Sequence, residues 1–197
     1  MPTKPKPKPA AAAPAGAAGI PAEVALAYAA RTKHHSSCNW IFEVDYSINS
    51  KYPRLFVYSI KDGVLYKYKC AHGGGGANHS PHDGKTRVVS NVAGSHCSCL
   101  GEIRTGAKNN GDLVGRSVLL HGLSATNSRM LAREIVLHGG EYVHDNDAGT
   151  DTSVSGRSQG CIVVDNDYIN FSTGGELIDW LYGGSIGVAH YDGRFSI

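Results

Sequence analysis

The chain lacks features that would place it in several common classes of protein. It has no apolar run long enough to cross a bilayer. It also has little excess charge, since a formal net charge of +2 is too small to indicate a nucleic-acid-binding protein. No internal repeat is visible. What remains is a chain of 197 residues with 41% hydrophobic content, which is enough for one domain with a substantial core.

The N-terminus lacks the apolar core of a signal peptide. It begins with lysines alternating with prolines, and the alanines that follow are interrupted by Pro14 and Gly16. Such a segment buries too little apolar surface to offset the entropy of ordering the chain. We therefore expect residues 1–19 to form a disordered tail and residues 20–197 to form a single domain.

Cysteine occurs in an odd number, so at least one thiol is unpaired if the others form disulfides. The five cysteines are Cys38, Cys70, Cys97, Cys99 and Cys161. Their irregular spacing matches no disulfide framework, and a Cys97–Cys99 or a Cys38–Cys70 bridge stays open at this point.

Glycine and tyrosine are plentiful, and with many Val/Ile alternations they favour a mainly β domain with tight turns. The pattern predicts strands at 40–46, 54–60, 64–70, 87–91, 99–105, 117–121, 135–138, 162–164 and 185–191. The first three of these predict a β-meander with a turn at 61–63. Helices are predicted at 22–30 and 177–181, with a helical turn within 127–133.

A histidine and a cysteine near the C-terminal end form the most informative pattern. Residues 134–137 predict a buried strand that ends at His138-Gly139. Further along the chain, the tetrapeptide SQGC occupies residues 158–161 and ends at Cys161. Nucleophilic acyl transfer by a thiol requires a sulfur that can ionise, an imidazole that accepts its proton and a small neighbouring residue. The pattern therefore predicts a cysteine–histidine site.

Together with other segments in order, this pattern resembles the L,D-transpeptidase catalytic domain family (YkuD-like). The segments that carry the resemblance are 44–47, 54–57, 71–73, 90–101, 120–123, 135–139 and 156–161. The resemblance implies two packed β-sheets, similar to a β-sandwich, with short flanking helices and a catalytic groove. Gln159 departs from better-known members, which carry a histidine at that place.

The resemblance also implies acyl transfer on peptidoglycan stem peptides, without a cofactor. Cys161 would attack the carbonyl after the third stem residue and expel the terminal D-alanine, with His138 as base and then acid. The Gly139 main chain would orient the imidazole. Backbone N–H groups around Gly160 and Cys161 would form the oxyanion site. Such a substrate lies in the cell wall, the periplasm or outside the cell.

Four further residues are expected to contact the substrate. Arg157 and Ser158 match the flank of the motif, and His144 lies in the loop between His138 and the cysteine. His121 also precedes a glycine and is the alternative base. Two alternatives to transpeptidation remain: hydrolysis of the same peptides, as in an L,D-carboxypeptidase or endopeptidase, and a non-catalytic, zinc-stabilised wall-binding module.

A second cluster of potential ligands offers a rival hypothesis, a structural zinc site. The cluster consists of His79, His82, His96, Cys97 and Cys99, which are the residue types that zinc prefers. Compact zinc knuckles, however, separate their cysteines by two residues, whereas only one residue separates these two. We therefore expect no metal.

Overall fold

The computed structural model describes residues 19–76, 83–144, 158–170 and 176–197. This part of the chain contains eight strands: β1 (Trp40–Asp45), β2 (Leu55–Ser59), β3 (Val64–Tyr68), β4 (Gly101–Gly111), β5 (Gly115–Gly122), β6 (Val136–Gly139), β7 (Ile162–Val164) and β8 (Ile186–His190). Two α-helices lie in the same ranges, α1 (Ala25–Lys33) and α2 (Leu177–Leu181). The mainly β class with short helices is confirmed.

The helices are too short to define the architecture. Helix α1 has nine residues and α2 has five. Within the described ranges, no helix has the length and apolar character that crossing a bilayer requires. Of the expected N-terminal tail, residues 1–18 lie outside the described residues.

All eight strands belong to one sheet, in the order β3-β2-β1-β8-β4-β5-β6-β7. The predicted meander of β1, β2 and β3 is confirmed, and Gly63 provides the left-handed turn between the last two with a φ of 66°. Two pairs of strands are parallel, β1 with β8 and β6 with β7. The parallel pair β6–β7 lies at one end of the strand order.

The sheet curls until its two ends nearly meet. Beyond β3, the Ala71 N–H donates to the Val163 carbonyl of β7 at 2.7 Å, and Gly73 bridges to Ser158. One continuous sheet therefore supplies both of the packed β layers that the resemblance implied. The closure also brings residues 71–74 beside the segment that precedes β7.

The inner face of the curled sheet forms the main core. Phe42 of β1, Leu120 of β5 and Leu137 of β6 are all fully buried in one apolar cluster. Each buried side chain of this size contributes about 1.5–3 kcal/mol. A second cluster lies on the outer face, where Ala27 of α1 packs with Ile186 of β8.

Two predicted elements are absent or replaced in the structure. The strand predicted at 87–91 does not form, because the Ser90 carbonyl accepts a side-chain hydrogen bond from Arg133 and Arg87 pairs with Asp83. The predicted helical turn within 127–133 is instead two separate 3-10 turns, Ala125–Asn127 and Leu131–Arg133. The second turn ends two residues before β6 begins.

Candidate active site

Strand β6 places His138 on the outer face of the sheet. Leu137 points into the core, so alternation along the strand turns the next side chain outward. The imidazole is nevertheless only 8% exposed, and its Nδ1 lies 2.6 Å from the Gly139 carbonyl oxygen. Because a carbonyl only accepts, Nδ1 carries the proton in this arrangement, and Nε2 is the nitrogen that can accept one.

Cys161 lies on the same face, directly before β7. Leu137 pairs with Ile162 and His138 with Val163, so Cys161 aligns with Val136. The spacings of a parallel sheet place the Cβ atoms of His138 and Cys161 roughly 8 Å apart, diagonally across the two strands. A thiol and an imidazole that extend from these positions can approach each other.

The electrostatic setting keeps both groups neutral near neutral pH. Burial lowers the pKa of His138, and the hydrogen bond to Gly139 only partly offsets this. Burial raises the pKa of the Cys161 thiol, whereas a hydrogen bond from the Val136 backbone and the charge of Arg133 act in the opposite direction. The resting pair is therefore a thiol beside a neutral imidazole, which suits transfer of the proton during attack rather than before it.

Ser158 shapes the turn that leads to the cysteine. Its Oγ donates to the Cys161 carbonyl at 2.8 Å and accepts the Gly160 N–H at 3.2 Å. Its backbone pairs with residues 72–74, through the His72 carbonyl and the Gly74 N–H. An oxyanion that used the Gly160 N–H would have to compete with the Ser158 hydroxyl for this donor.

Two glycines of the motif are required by close contacts. Gly160 has a φ of +118°, and a Cβ there would be 2.7 Å from the Cys97 carbonyl oxygen. A Cβ on Gly139 would collide with the side chain of Asn166. Both positions therefore exclude larger residues, and the carbonyl that holds His138 is itself held in place.

The Cys161 side chain packs against apolar neighbours. Ala71, Val143 and Val163 form a small buried cluster, and Tyr142 and Cys161 pack against it. This cluster limits the access of water to the sulfur, which strengthens electrostatic interactions around it.

Comparison with known proteins agrees with this geometry. The family model for the L,D-transpeptidase catalytic domain matches residues 19–188. The chain belongs to this family. The resemblance drawn from the sequence is therefore confirmed, and the match includes both the histidine and the cysteine of the site.

The search of solved structures found a mutant of the helical cell shape determining protein Pgp2 from Campylobacter jejuni. The two proteins share 13% identity with a TM-score of 0.45, over 80% of this chain and 49% of the other. The chain thus spans about half the length of that protein. A search of curated proteins gave no match.

The four expected substrate contacts of this L,D-transpeptidase-family domain have different settings. Ser158 is buried in the turn, and His144 is exposed at the end of a described range, next to buried Val143. Arg157 lies outside the described residues. Substrate contact by these residues stays a prediction.

His121 is poorly placed for the role of alternative base. Ser117 of β5 pairs with His138, and His121 lies four residues further along that strand. Four residues correspond to about 13 Å of strand. Its imidazole instead packs over Gly106, where a Cβ would be 2.5 Å from Nε2. The register therefore favours His138 as the base.

Residues 156–160 also fit the Gly-x-Ser-x-Gly pattern of serine hydrolases. In those enzymes the serine stands exposed on a turn between a strand and a helix. Here Ser158 is 6% exposed, its Oγ donates to a carbonyl, and a strand follows. The pattern is therefore part of the cysteine turn rather than a serine nucleophile.

The rival zinc cluster is only partly described. His79 and His82 lie outside the described residues, and His96 is exposed. Cys97 donates to the Ser95 carbonyl, and Cys99 Sγ lies 2.9 Å from the Arg133 guanidinium, where a second cation would be repelled. All five thiols of the chain are free, so neither disulfide considered from the sequence forms.

Sequence reasoning missed Arg133 as a neighbour of the site. The residue is the last one of the second 3-10 turn, shortly before β6, and its guanidinium reaches Ser90, Cys97 and Cys99. The one available signal was a charged side chain just before the strand that carries His138.

A buried polar group beneath the site was missed as well. Arg54 is fully buried and donates twice to the Cys70 carbonyl, at 2.9 and 2.7 Å. Its Nη2 also lies 2.8 Å from His72 Nδ1. This group anchors the segment that pairs with Ser158.

Proposed function

We propose that the protein is a cysteine L,D-transpeptidase that acts on peptidoglycan stem peptides through a thioester acyl-enzyme. Cys161 is the nucleophile and His138 the general base. The observation that carries the proposal is the placement of both side chains on one face of two parallel strands, with His138 Nδ1 bound to a carbonyl. Membership of the L,D-transpeptidase catalytic domain family supports the choice of substrate.

The proton balance of the reaction follows from this placement. As Cys161 Sγ attacks the carbonyl after the third stem residue, its proton moves to His138 Nε2. The imidazolium then protonates the departing amine of the terminal D-alanine, which leaves a thioester on the sulfur. The amine of a second stem attacks the thioester, His138 takes the amine proton, and the C–S bond breaks as the imidazolium returns this proton to the sulfur, which restores the free thiol.

Turnover of a disaccharide-tetrapeptide, followed by mass spectrometry, tests the proposal. The wild-type protein should release D-alanine, form a cross-linked dimer and show an acyl adduct on Cys161. Cys161→Ala and Cys161→Ser should reduce turnover on the order of a million-fold while leaving the fold intact. Cys38→Ala is the matched control, because Cys38 is a half-buried thiol that packs in the outer apolar cluster.

The products distinguish the possible acceptors. A tripeptide and free D-alanine without a dimer would identify water as the acceptor, and the protein would then be an L,D-carboxypeptidase with the same nucleophile. Normal turnover in Cys161→Ala would refute the cysteine mechanism itself.

A further inference from the structure

Arg133 holds the segment around Cys97 against the turn that carries the nucleophile. Its Nη1 donates to the Ser90 carbonyl and its Nη2 to the Cys97 carbonyl, both at 2.7 Å. Nη1 also lies 2.9 Å from Cys99 Sγ. Because a guanidinium is planar and always charged, these three acceptors define both its position and its orientation.

The same guanidinium packs against the glycine that precedes the nucleophile. A Cβ at Gly160 would be 3.1 Å from Arg133 Nη2 and 2.7 Å from the Cys97 carbonyl oxygen. Arg133 Nη2 and the Cys97 carbonyl are joined by a hydrogen bond, so the turn at Gly160 packs against both groups of that bond. The charge of Arg133 also acts on the Cys161 thiol, where it opposes the larger effect of burial on the pKa.

The other titratable groups around the thiol do not supply a permanent charge. His138 extends from β6 on the same face, and burial lowers its pKa, so the imidazole is neutral near neutral pH. Tyr142 packs beside Cys161 in the small apolar cluster, and the Cys97 thiol donates to the Ser95 carbonyl. Among the described residues, Arg133 is thus the fixed cation whose charge acts on the sulfur.

We propose, on the basis of the cysteine mechanism above, that Arg133 is a positioning residue for the Cys161 thiolate. Its guanidinium locks the Gly160 turn in place and keeps a positive charge beside the sulfur while the thiolate forms. The residue needs no contact with substrate for this role. Lysine would keep the charge but lose the planar fork that binds two carbonyls, so the two contributions can be separated.

The test is the pH dependence of Cys161 alkylation by iodoacetamide, measured on the full chain by peptide mapping. In Arg133→Gln, the midpoint of the rate profile should move up by about one pH unit, and the rate at neutral pH should fall about 10-fold. Arg133→Lys should return the midpoint towards that of the wild type. Arg129→Gln is the matched control, because Arg129 is an exposed arginine four residues earlier, and its profile should be unchanged.

A structural role alone would lower the melting temperature of Arg133→Gln without moving the midpoint, and that result would overturn the proposal. If Arg133→Gln does not fold, the alkylation profile of Arg133→Lys decides instead. Because lysine retains the charge, an upward shift of its midpoint by about one pH unit would also refute the proposal. Alkylation needs no peptidoglycan, so a failure of the proposed function would show in the turnover assay and leave this measurement intact. Cys161→Ala, which should give no adduct at this position, confirms the site of reaction.

Discussion

Acid should destabilise this protein through His72, an imidazole that the fold keeps neutral. His72 is 1% exposed, and its Nδ1 accepts a hydrogen bond of 2.8 Å from Arg54 Nη2. The proton of the neutral ring is therefore on Nε2. Burial, together with the charge of Arg54, lowers the pKa of His72 from 6.5 to about 3, and the backbone of Lys85 offsets this only in part.

The direction of the effect follows from proton binding. The unfolded chain protonates His72 near pH 6.5, whereas the folded chain does so only near about pH 3. Between these values the unfolded state binds more protons, so acid favours unfolding. The stability that the neutral His72 contributes is complete above its pKa in the unfolded chain, and it is lost progressively as the pH falls towards its pKa in the folded chain. At about pH 4, the free energy of unfolding has fallen by about 3 kcal/mol because of His72.

Urea unfolding of the wild type and of His72→Asn at neutral and acidic pH measures this loss. The asparagine Oδ1 can still accept from Arg54, but the side chain does not titrate. Between about pH 7 and pH 4, the free energy of unfolding should fall by about 3 kcal/mol more in the wild type than in His72→Asn. The contributions of carboxylates are the same in both proteins and cancel in this comparison. His35→Asn is the control, because His35 is exposed and its φ of 49° suits asparagine. Equal losses in the wild type and His72→Asn would refute the reasoning.

Three further predictions concern the site. Labelling of Cys161 by a carbapenem, followed by intact-protein mass spectrometry, should slow about 100-fold in His138→Ala and much less in His121→Ala, since only His138 aligns with the nucleophile; equal slowing would contradict the assignment of the base. Gly160→Ala should lower the free energy of unfolding by about 1–3 kcal/mol and reduce turnover, because the new methyl group meets a backbone carbonyl; an unchanged melting temperature would argue against the tight turn. Exhaustive chelation should leave the melting temperature and turnover unchanged, and a large fall restored by zinc would favour the zinc hypothesis instead.

Several elements were predictable because their signals are local. The apolar, β-branched runs at 162–164 and 135–138 correctly indicated strands, and a lysine, an aspartate and Gly63 correctly indicated a turn of the meander. The ordered set of segments between residues 44 and 161, ending in His138-Gly139 and the SQGC tetrapeptide, pointed to the family that the comparison then confirmed. Each of these segments is short, and the family inference needed only their order along the chain.

The failed strand at 87–91 shows where local signals mislead. Its Val-Val pair has high β propensity, but the neighbouring Ser90 carbonyl is bound by Arg133, which is 43 residues away in the chain. A side-chain donor supplied by the tertiary structure thus replaces the ladder partner that the strand would have needed.

The sequence by itself determined the class of the domain and the positions of most strands along the chain, and it singled out His138 and Cys161 as the candidate pair. Only the tertiary structure decided that the strands form one curled sheet, that Cys161 lies diagonally opposite His138, and that Arg133 lies against Gly160. Periodicity and turn chemistry are properties of short segments, which propensity can report. Strand register and the contacts of a guanidinium with residues 34 to 43 positions away depend on how the whole sheet closes, and no short segment contains that information.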